Sequence, residues 1–348
     1  MYENIKISII TPLYNSESYI DNFVSCFLNQ TLDNIELIFV DDASPDNSYK
    51  KAVEYEKQYQ DRIRVFHYDK NRGAGGARNF GLNKARGKYV CFVDPDDWMD
   101  NTMLYKLYTT GINEKCDIVD CDYFDYYCDK NMYSKMFSLS SKCVGDIDAK
   151  KLNLLSFSAG RIFTKIFDKN MLINNLLFYP ENIRFEDNGV NLCLCAKKIG
   201  KVYEHLFYYR TSSNTSQTGN MLKKDYVLDR VKAAEYLTNE YLRLGKFKTA
   251  YLGLEYRVSY IGYASNIYIY IISDYNINFE TLARARNHIK NYFKNYRHNK
   301  YYKDNMPFHY KLSVILYELH PNLIKIYKRI RPILRFRYRI LNYLKGNI

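Results

Sequence analysis

Four carboxylates, Asp94, Asp96, Asp97 and Asp100, stand directly behind a short apolar run in the stretch VCFVDPDDWMD. An Asp-x-Asp pair at a strand end offers two hard oxygen ligands on one short loop. Such a pair suits Mg²⁺ or Mn²⁺, which keep open positions for the oxygens of a diphosphate. Without a cation the carboxylates would repel one another, and the ion supplies the missing countercharge. A simpler reading is a solvated acidic turn that caps a helix near 101–108. The cluster alone leaves both open.

Other residues have types that could serve the same chemistry. Glu186 and Asp187, in RFEDNGV, offer a carboxylate that could take a proton from an attacking hydroxyl, or could be first-turn acids of a following helix. His205 and Arg210 fall in EHLFYYRTSS. The histidine could complete a metal shell and the arginine could close over a diphosphate, although a histidine at a strand end is also an ordinary partly buried residue. Gly73, Gly75 and Gly76 precede Arg78. They lack the Lys-Ser/Thr ending of a phosphate-binding Walker loop, so they read as a tight turn that delivers Arg78.

These residues need elements to position them. IKISIITPLYN predicts a buried strand over 5–10 ending at Thr11-Pro12, and SESYIDNFVSCFLNQ a helix that Ser16 or Ser18 could cap. IELIFVDD is a second strand, followed by a turn and a helix. RIRVFHY is a third strand, GAGGARNFGLNKA a helix, and KYVCFVD a fourth strand that leads into the acidic cluster. Strand alternating with helix predicts an α/β fold with a mostly parallel sheet covered on both faces. Ligands of such sheets sit outside the carboxyl ends of the strands. The polar groups of 11–15, Asp41-Asp42 and 94–97 should therefore converge on one crevice.

Downstream, CDIVDCDYFDYY reads as a strand and MYSKMFSL as its hairpin partner. KLNLLSFSAGRIFTKIFDKNMLI reads as mainly helical, and NIRFEDNGVNLCLCAKKIG as a loop feeding a helix that Gly200 ends. KVYEHLFYYR is a strand running into a Ser/Thr/Asn-rich segment over 211–220, taken as mobile and as the domain boundary. Beyond it Val227, Val231, Ala234 and Tyr241 share a helical face that Gly245 stops, and helical patterning continues to the end. Two domains follow, 1–220 and 221–348.

TPLYN, VDDASPD, NRGAGGARNFGLNKARGKYVCFVDPDDW and FEDNGV, in this order and spacing, together resemble the family 2 glycosyltransferases of the GT-A fold over residues 5–215. Within that group the pattern is similar to bacterial enzymes that build capsule, lipopolysaccharide or teichoic-acid glycans. One position departs: the usual VDDGS turn reads VDDAS, with Ala43 in place of glycine.

The resemblance implies roles for matching positions. Thr11, Pro12 and Tyr14 would border the nucleotide base, with Asn15 and Glu17 nearby, and Asp41 would accept a hydrogen bond from uracil. Arg78 would approach the diphosphate, Asp94 the ribose, and Asp96 the metal, with Asp94 and His205 as further candidate ligands. Asp97 would hold the donor sugar or the metal shell. Asp187 would be the catalytic base and Glu186 would orient it or touch the acceptor. The implied activity is metal-assisted, inverting transfer from a nucleotide-sugar, UDP-linked, to a hydroxyl of a glycan or lipid-linked glycan acceptor.

Charge divides the 348-residue chain. Residues 1–220 hold 27 Lys and Arg against 29 Asp and Glu, whereas 221–348 hold 24 against 9, so the net +13 belongs to the last third. That third also carries 19 of the 37 tyrosines. Its tail, NLIKIYKRIRPILRFRYRILNYLKG, can set Tyr327, Ile330, Leu334, Tyr338 and Leu341 beside Lys328, Arg331, Arg335 and Arg339. Such a segment suits an anionic membrane surface, packing on the catalytic domain, or a dimer contact. Nucleic-acid binding is a rival from another class, but no nucleic-acid motif accompanies the charge. Nucleotidyl transfer is a second rival, but it would want its Gly, Arg and Lys cluster where TPLYN stands.

The eight cysteines form no CxxC pair and match no common zinc spacing. No signal-peptide pattern opens the chain and no apolar run approaches membrane-spanning length. The expected location is the cytoplasm, with peripheral contact at the inner membrane.

Overall fold

A computed structural model describes residues 5–158, 161–184, 191–211, 226–273 and 276–332. The chain divides into two compact units, residues 1–216 with 239–254 and residues 217–238 with 255–348.

The first unit begins as the sequence pattern predicts. β1 (Ile7–Leu13), α1 (Ile20–Leu28), β2 (Ile35–Asp41), α2 (Ser48–Gln58), β3 (Ile63–His67), α3 (Gly73–Lys84) and β4 (Tyr89–Phe92) alternate in order. β5 (Trp98–Met99), α4 (Met103–Glu114), β6 (Ile118–Tyr127), β7 (Met132–Met136), β8 (Gly145–Asp146), α5 (Ala149–Phe157), β9 (Lys165–Asp168), α6 (Lys169–Asn174) and β10 (Lys198–Thr211) follow. One sheet contains all ten strands, in the order β3-β2-β1-β4-β9-β6-β10-β5, with β7 on β6 and β8 on β10.

Burial on both faces explains the unbroken apolar strands. Along β1, Ile7 and Ile9 enter the core beneath α1 and α4, while Ile10 enters the opposite core beneath α3. Gly81 of α3 makes that second contact close, because a Cβ there would stand 2.4 Å from Cγ2 of Ile10.

Strand direction sets where the site lies. β1, β2, β3 and β4 are mutually parallel. β9 runs antiparallel to both β4 and β6, and β10 parallel to β6. The two reversals cancel, so β6 and β10 end on the same edge as β1, β2 and β4. Arg210, near the end of β10, is thereby carried to the edge that holds Asp41 and Asp94.

Four expectations need correction. β1 continues through Thr11 and Pro12, which pair with Phe39 and Val40, so these residues are the last part of the strand and not a loop after it. The segment read as mainly helical contains β9, a four-residue strand between two helices, too short to show a period of its own. Residues 191–193 form a single 3-10 turn, and Gly200 lies inside β10 rather than ending a helix. Neither Ser16 nor Ser18 caps α1, whose N-cap is Tyr19 without a side-chain bond.

The described part of the second unit is helical. α7 (Val227–Arg243) spans the division between the units, and α8 (Tyr251–Val258) reaches a π-helical stretch, Ser259–Ala264, that continues into α9 (Ser265–Ile272). α10 (Phe279–Tyr292), α11 (Lys300–Asn305) and α12 (Phe308–Leu319) follow, and residues 322–332 are helical as well. Among the described residues no helix is long and apolar enough to cross a membrane.

Candidate active site

At the end of β2, Asp41 is fully buried. Its Oδ2 lies 2.9 Å from Nδ1 of His67, at the end of β3, and accepts the N–H of Ser44 at 3.2 Å. Its Oδ1 is buried without a hydrogen-bond partner, as is Oγ1 of Thr11 on the neighbouring strand. Buried acceptors are normally satisfied, so an oxygen left open at a strand end can take a donor group from water or a ligand. Asp42 accepts the N–H of Arg72 at 2.7 Å, and burial raises its carboxyl above the usual range despite that bond. Asp42 thus fixes the turn into α3. Between Asp42 and Ser44, Ala43 takes φ of 57°, a left-handed backbone that favours glycine.

Tyr14 and Asn15 lie just beyond β1 and are exposed. Glu17 is engaged at the start of α2, its carboxylate accepting both the backbone N–H and the side-chain amide of Asn47 at 3.1 to 3.2 Å. It braces that helix.

α3 delivers Arg78 to Asp94. Arg78 is 3 % exposed, and its Nη2 donates to Oδ1 of Asp94 at 2.7 Å while its guanidinium lies 5.4 Å from the ring centre of Tyr179. The helix is held in turn by Asn79, which exchanges two hydrogen bonds with the backbone of Tyr179, and by the Arg72–Glu181 ion pair at 2.6 Å.

Beyond Asp94 the carboxylates separate by role. Asp100 turns away to accept the N–H and hydroxyl of Thr102 at the start of α4, at 2.8 and 2.5 Å. Asp100 thus shapes the turn leading into α4, whose N-cap is Thr102 without a side-chain cap bond. Asp97 is buried and accepts the N–H of Arg210 at 2.8 Å, while its Oδ2 is buried without a partner. Burial, then the charges of Asp96 and Asp94, push Asp97 well above the usual carboxylate range. Asp96 is pushed up to about 6 by burial and by the charge of Asp94, which Arg210 offsets only in part.

Crowded carboxylates that resist ionisation, one with an open buried oxygen, fit a site that takes a cation. Among the described residues no group of three or more His, Cys, Asp or Glu could hold a metal by itself.

Arg210 closes the far wall. Its Nε donates to the carbonyl of Asp96 at 2.9 Å, and its guanidinium lies 5.2 Å from the ring centre of Trp98. A cleft of about 430 Å³ is lined here by Asp96, Asp97, Trp98, Tyr126 and Arg210.

His205 is not brought to this cluster. Five residues before Arg210, about 16 Å along an extended strand, it packs against Phe124 and Phe137 at 5.1 and 5.6 Å. Glu186 and Asp187 lie outside the described residues.

Residues 8–170 match the model of glycosyl transferase family 2. A Streptococcus pneumoniae protein, glycosyltransferase GlyG, is 31 % identical over 218 residues, covering 60 % of this chain and 72 % of its own. The chain belongs to glycosyl transferase family 2. The Bacillus subtilis glycosyltransferase EpsJ is 31 % identical over 219 residues, 60 % of this chain, and the match spans 62 % of that protein's length. In fold, this family 2 chain is similar to S. aureus TarS 1-349 in complex with UDP, with a TM-score of 0.58 and 20 % identity, covering 98 % of this chain and 92 % of that one. It is also similar to the Pyrobaculum calidifontis mannosyltransferase PcManGT in complex with GDP-Man and Mn²⁺, with a TM-score of 0.50, 14 % identity and coverage of 91 % and 87 %.

The family pattern pointed to Asp41, Arg78, Asp94, Asp96, Asp97 and Arg210, and these lie along the carboxyl edge of the sheet. His67 was missed, although it ends β3 on the same edge as Asp41. Tyr179 and Glu181, which seat α3 from 100 residues away, carried no local signal.

Proposed function

We propose that this family 2 glycosyltransferase moves a sugar from a UDP-linked donor to a hydroxyl of a bacterial surface glycan, with inversion at the anomeric carbon. The observation that supports it most is the alignment, on one sheet edge, of an open buried acceptor on Asp41, the Arg78–Asp94 pair, and the crowded Asp96 and Asp97 beneath Arg210.

In this reading the Asp41 carboxylate accepts N3–H of uracil, beside Thr11, Pro12 and Tyr14. Arg78 orients Asp94 toward the ribose. Asp96, with Asp94, would hold a divalent cation, Mn²⁺ or Mg²⁺, whose chemistry is to stabilise negative charge on the departing diphosphate. Arg210 adds positive charge at the same wall, and Asp97 holds a hydroxyl of the donor sugar. The acceptor oxygen forms its bond to the anomeric carbon as the bond to phosphate breaks and its electron pair leaves with UDP. Asp187 takes the acceptor proton and Glu186 orients it.

The second unit supports a location at the cytoplasmic face of an anionic membrane. Phe308, Ile315 and Leu319 recur at helical spacing on α12 and are 77 %, 45 % and 72 % exposed, in a region of strong net positive charge. Co-sedimentation with anionic but not neutral vesicles is the expected result, and equal recovery with both would contradict it.

A donor-hydrolysis screen over UDP-, GDP-, CMP- and dTDP-sugars with Mn²⁺ or Mg²⁺ tests the function without an acceptor. Hydrolysis of UDP-sugars is expected; activity confined to another nucleotide, or none, would overturn the donor assignment.

A further inference from the structure

A second cleft, of about 570 Å³, opens beside the first and is lined by Trp98, Asp100, Asn101, Phe124, Tyr133 and Tyr208. The two clefts share Trp98, Met99, Asn101 and Tyr133. The second therefore adjoins the place where Asp96, Asp97 and Arg210 meet.

Its floor is built by register. Tyr208 of β10 pairs with Trp98 of β5 on one side and Phe124 of β6 on the other. Their rings stand nearly parallel, Trp98 to Tyr208 at 5.4 Å and 6°, and Tyr208 to Phe124 at 5.2 Å and 15°. Tyr133 of β7 rises over this row, edge-on to Tyr208 and Phe124 at 5.9 and 6.2 Å, and is 53 % exposed. Four aromatic side chains converge on a cleft rimmed by a carboxylate and an amide. None of them is consumed by the nucleotide-binding reading.

Aromatic rings with polar neighbours match the chemistry of a pyranose. Its C–H face is polarised positively by the ring oxygens and rests on the negative face of an aromatic ring, while its hydroxyls bond to groups at the rim. The volume falls within the roughly 300 to 1,000 Å³ of ordinary ligand sites. A protein partner would fit the exposed rings too, but the shared walls with the proposed sugar-transfer site favour carbohydrate.

We propose that this aromatic cleft is an acceptor subsite that holds a pyranose of the glycan, with the half-exposed Tyr133 as its specificity-determining ring. The proposal rests on the glycosyltransferase reading given above.

Trp98 is the chain's single tryptophan and lines both clefts, so its emission reports on a ligand in either. The full chain is titrated with N-acetylglucosamine tetramer, maltotetraose and cellotetraose, without nucleotide, and UDP binding is measured by calorimetry on the same preparation. At least one glycan should shift Trp98 emission saturably. Tyr133→Ala should raise its apparent Kd about tenfold or more, whereas Tyr133→Phe, which keeps the ring, should stay within about threefold. Silence from all three glycans, or an unchanged Kd in Tyr133→Ala, would overturn the proposal. So would concentration-dependent self-association abolished by Tyr133→Ala, which would assign the cleft to a second copy. Glycan binding without UDP binding would sink the donor reading and leave the carbohydrate cleft standing; UDP binding with silent glycans would do the reverse.

Discussion

Arg210 donates its backbone N–H to Oδ1 of Asp97 at 2.8 Å, joining residues 113 positions apart. Its side chain then reaches the carbonyl of Asp96 and covers Trp98. One residue at the end of β10 therefore fixes the acidic loop by its backbone and offsets part of its charge by its side chain.

Arg210→Lys keeps the backbone bond and the charge but loses the Nε bond to Asp96 and the planar packing on Trp98. Transfer, measured as kcat/KM for the donor, should fall by about tenfold to a hundredfold, the loss of one charge-assisted hydrogen bond. Wild-type kcat/KM would show that the guanidinium shape is immaterial.

In the proposed donor pose Asp41 offers an acceptor to the base, and an amide in its place can rotate to offer a donor. Asp41→Asn should weaken UDP binding by about tenfold or more and narrow its advantage over CDP, whose ring nitrogen accepts instead. Competition between the two nucleotides in a binding assay reads this directly. An unchanged preference would place the base elsewhere.

Ala43 holds φ of 57° in the turn after β2. Left-handed backbone costs an L-residue about 1 kcal/mol, and glycine removes that cost while adding some unfolded-state entropy. Ala43→Gly should raise Tm by about 2 °C, by calorimetry. A fall in Tm would mean that the alanine methyl packs usefully.

Glu36 is fully buried, and burial would raise its carboxyl. The Ser8 hydroxyl and the N–H and guanidinium of Arg86 outweigh that effect, and Arg64 adds an ion pair at 3.1 Å, so the carboxyl sits below its usual range. A depressed folded value means that the stabilisation is fully present above the unfolded value, about 4.3. It is lost as pH falls through the lower, folded one. Glu36→Gln should therefore cost about 3 kcal/mol at pH 7, and the gap from wild type should shrink below about pH 4. Urea melts at both pH values measure it, and a constant gap would contradict the linkage.

The alternating first half was legible because each buried strand and amphipathic helix declares its own period. β9 was not, because four residues between two helices carry too little pattern, and its place in the sheet depends on long-range pairing with β4 and β6. The acidic cluster announced a site, but its division did not show: Asp100 holds the turn before α4 while Asp97 takes Arg210, a split decided by the direction of β10. The same strand carries His205 to Phe124 instead of the carboxylates. A lone histidine near a strand end gives no sign of which neighbour it will meet.

Calorimetric titration of UDP in the presence and absence of Mn²⁺, on wild type and Asp96→Ala, measures the central claim most directly. Wild type should bind UDP at least about tenfold more tightly with Mn²⁺, and Asp96→Ala should lose that enhancement while keeping its fold by circular dichroism. Equal Mn²⁺ enhancement in both proteins, or no heat from wild type under either condition, would contradict it.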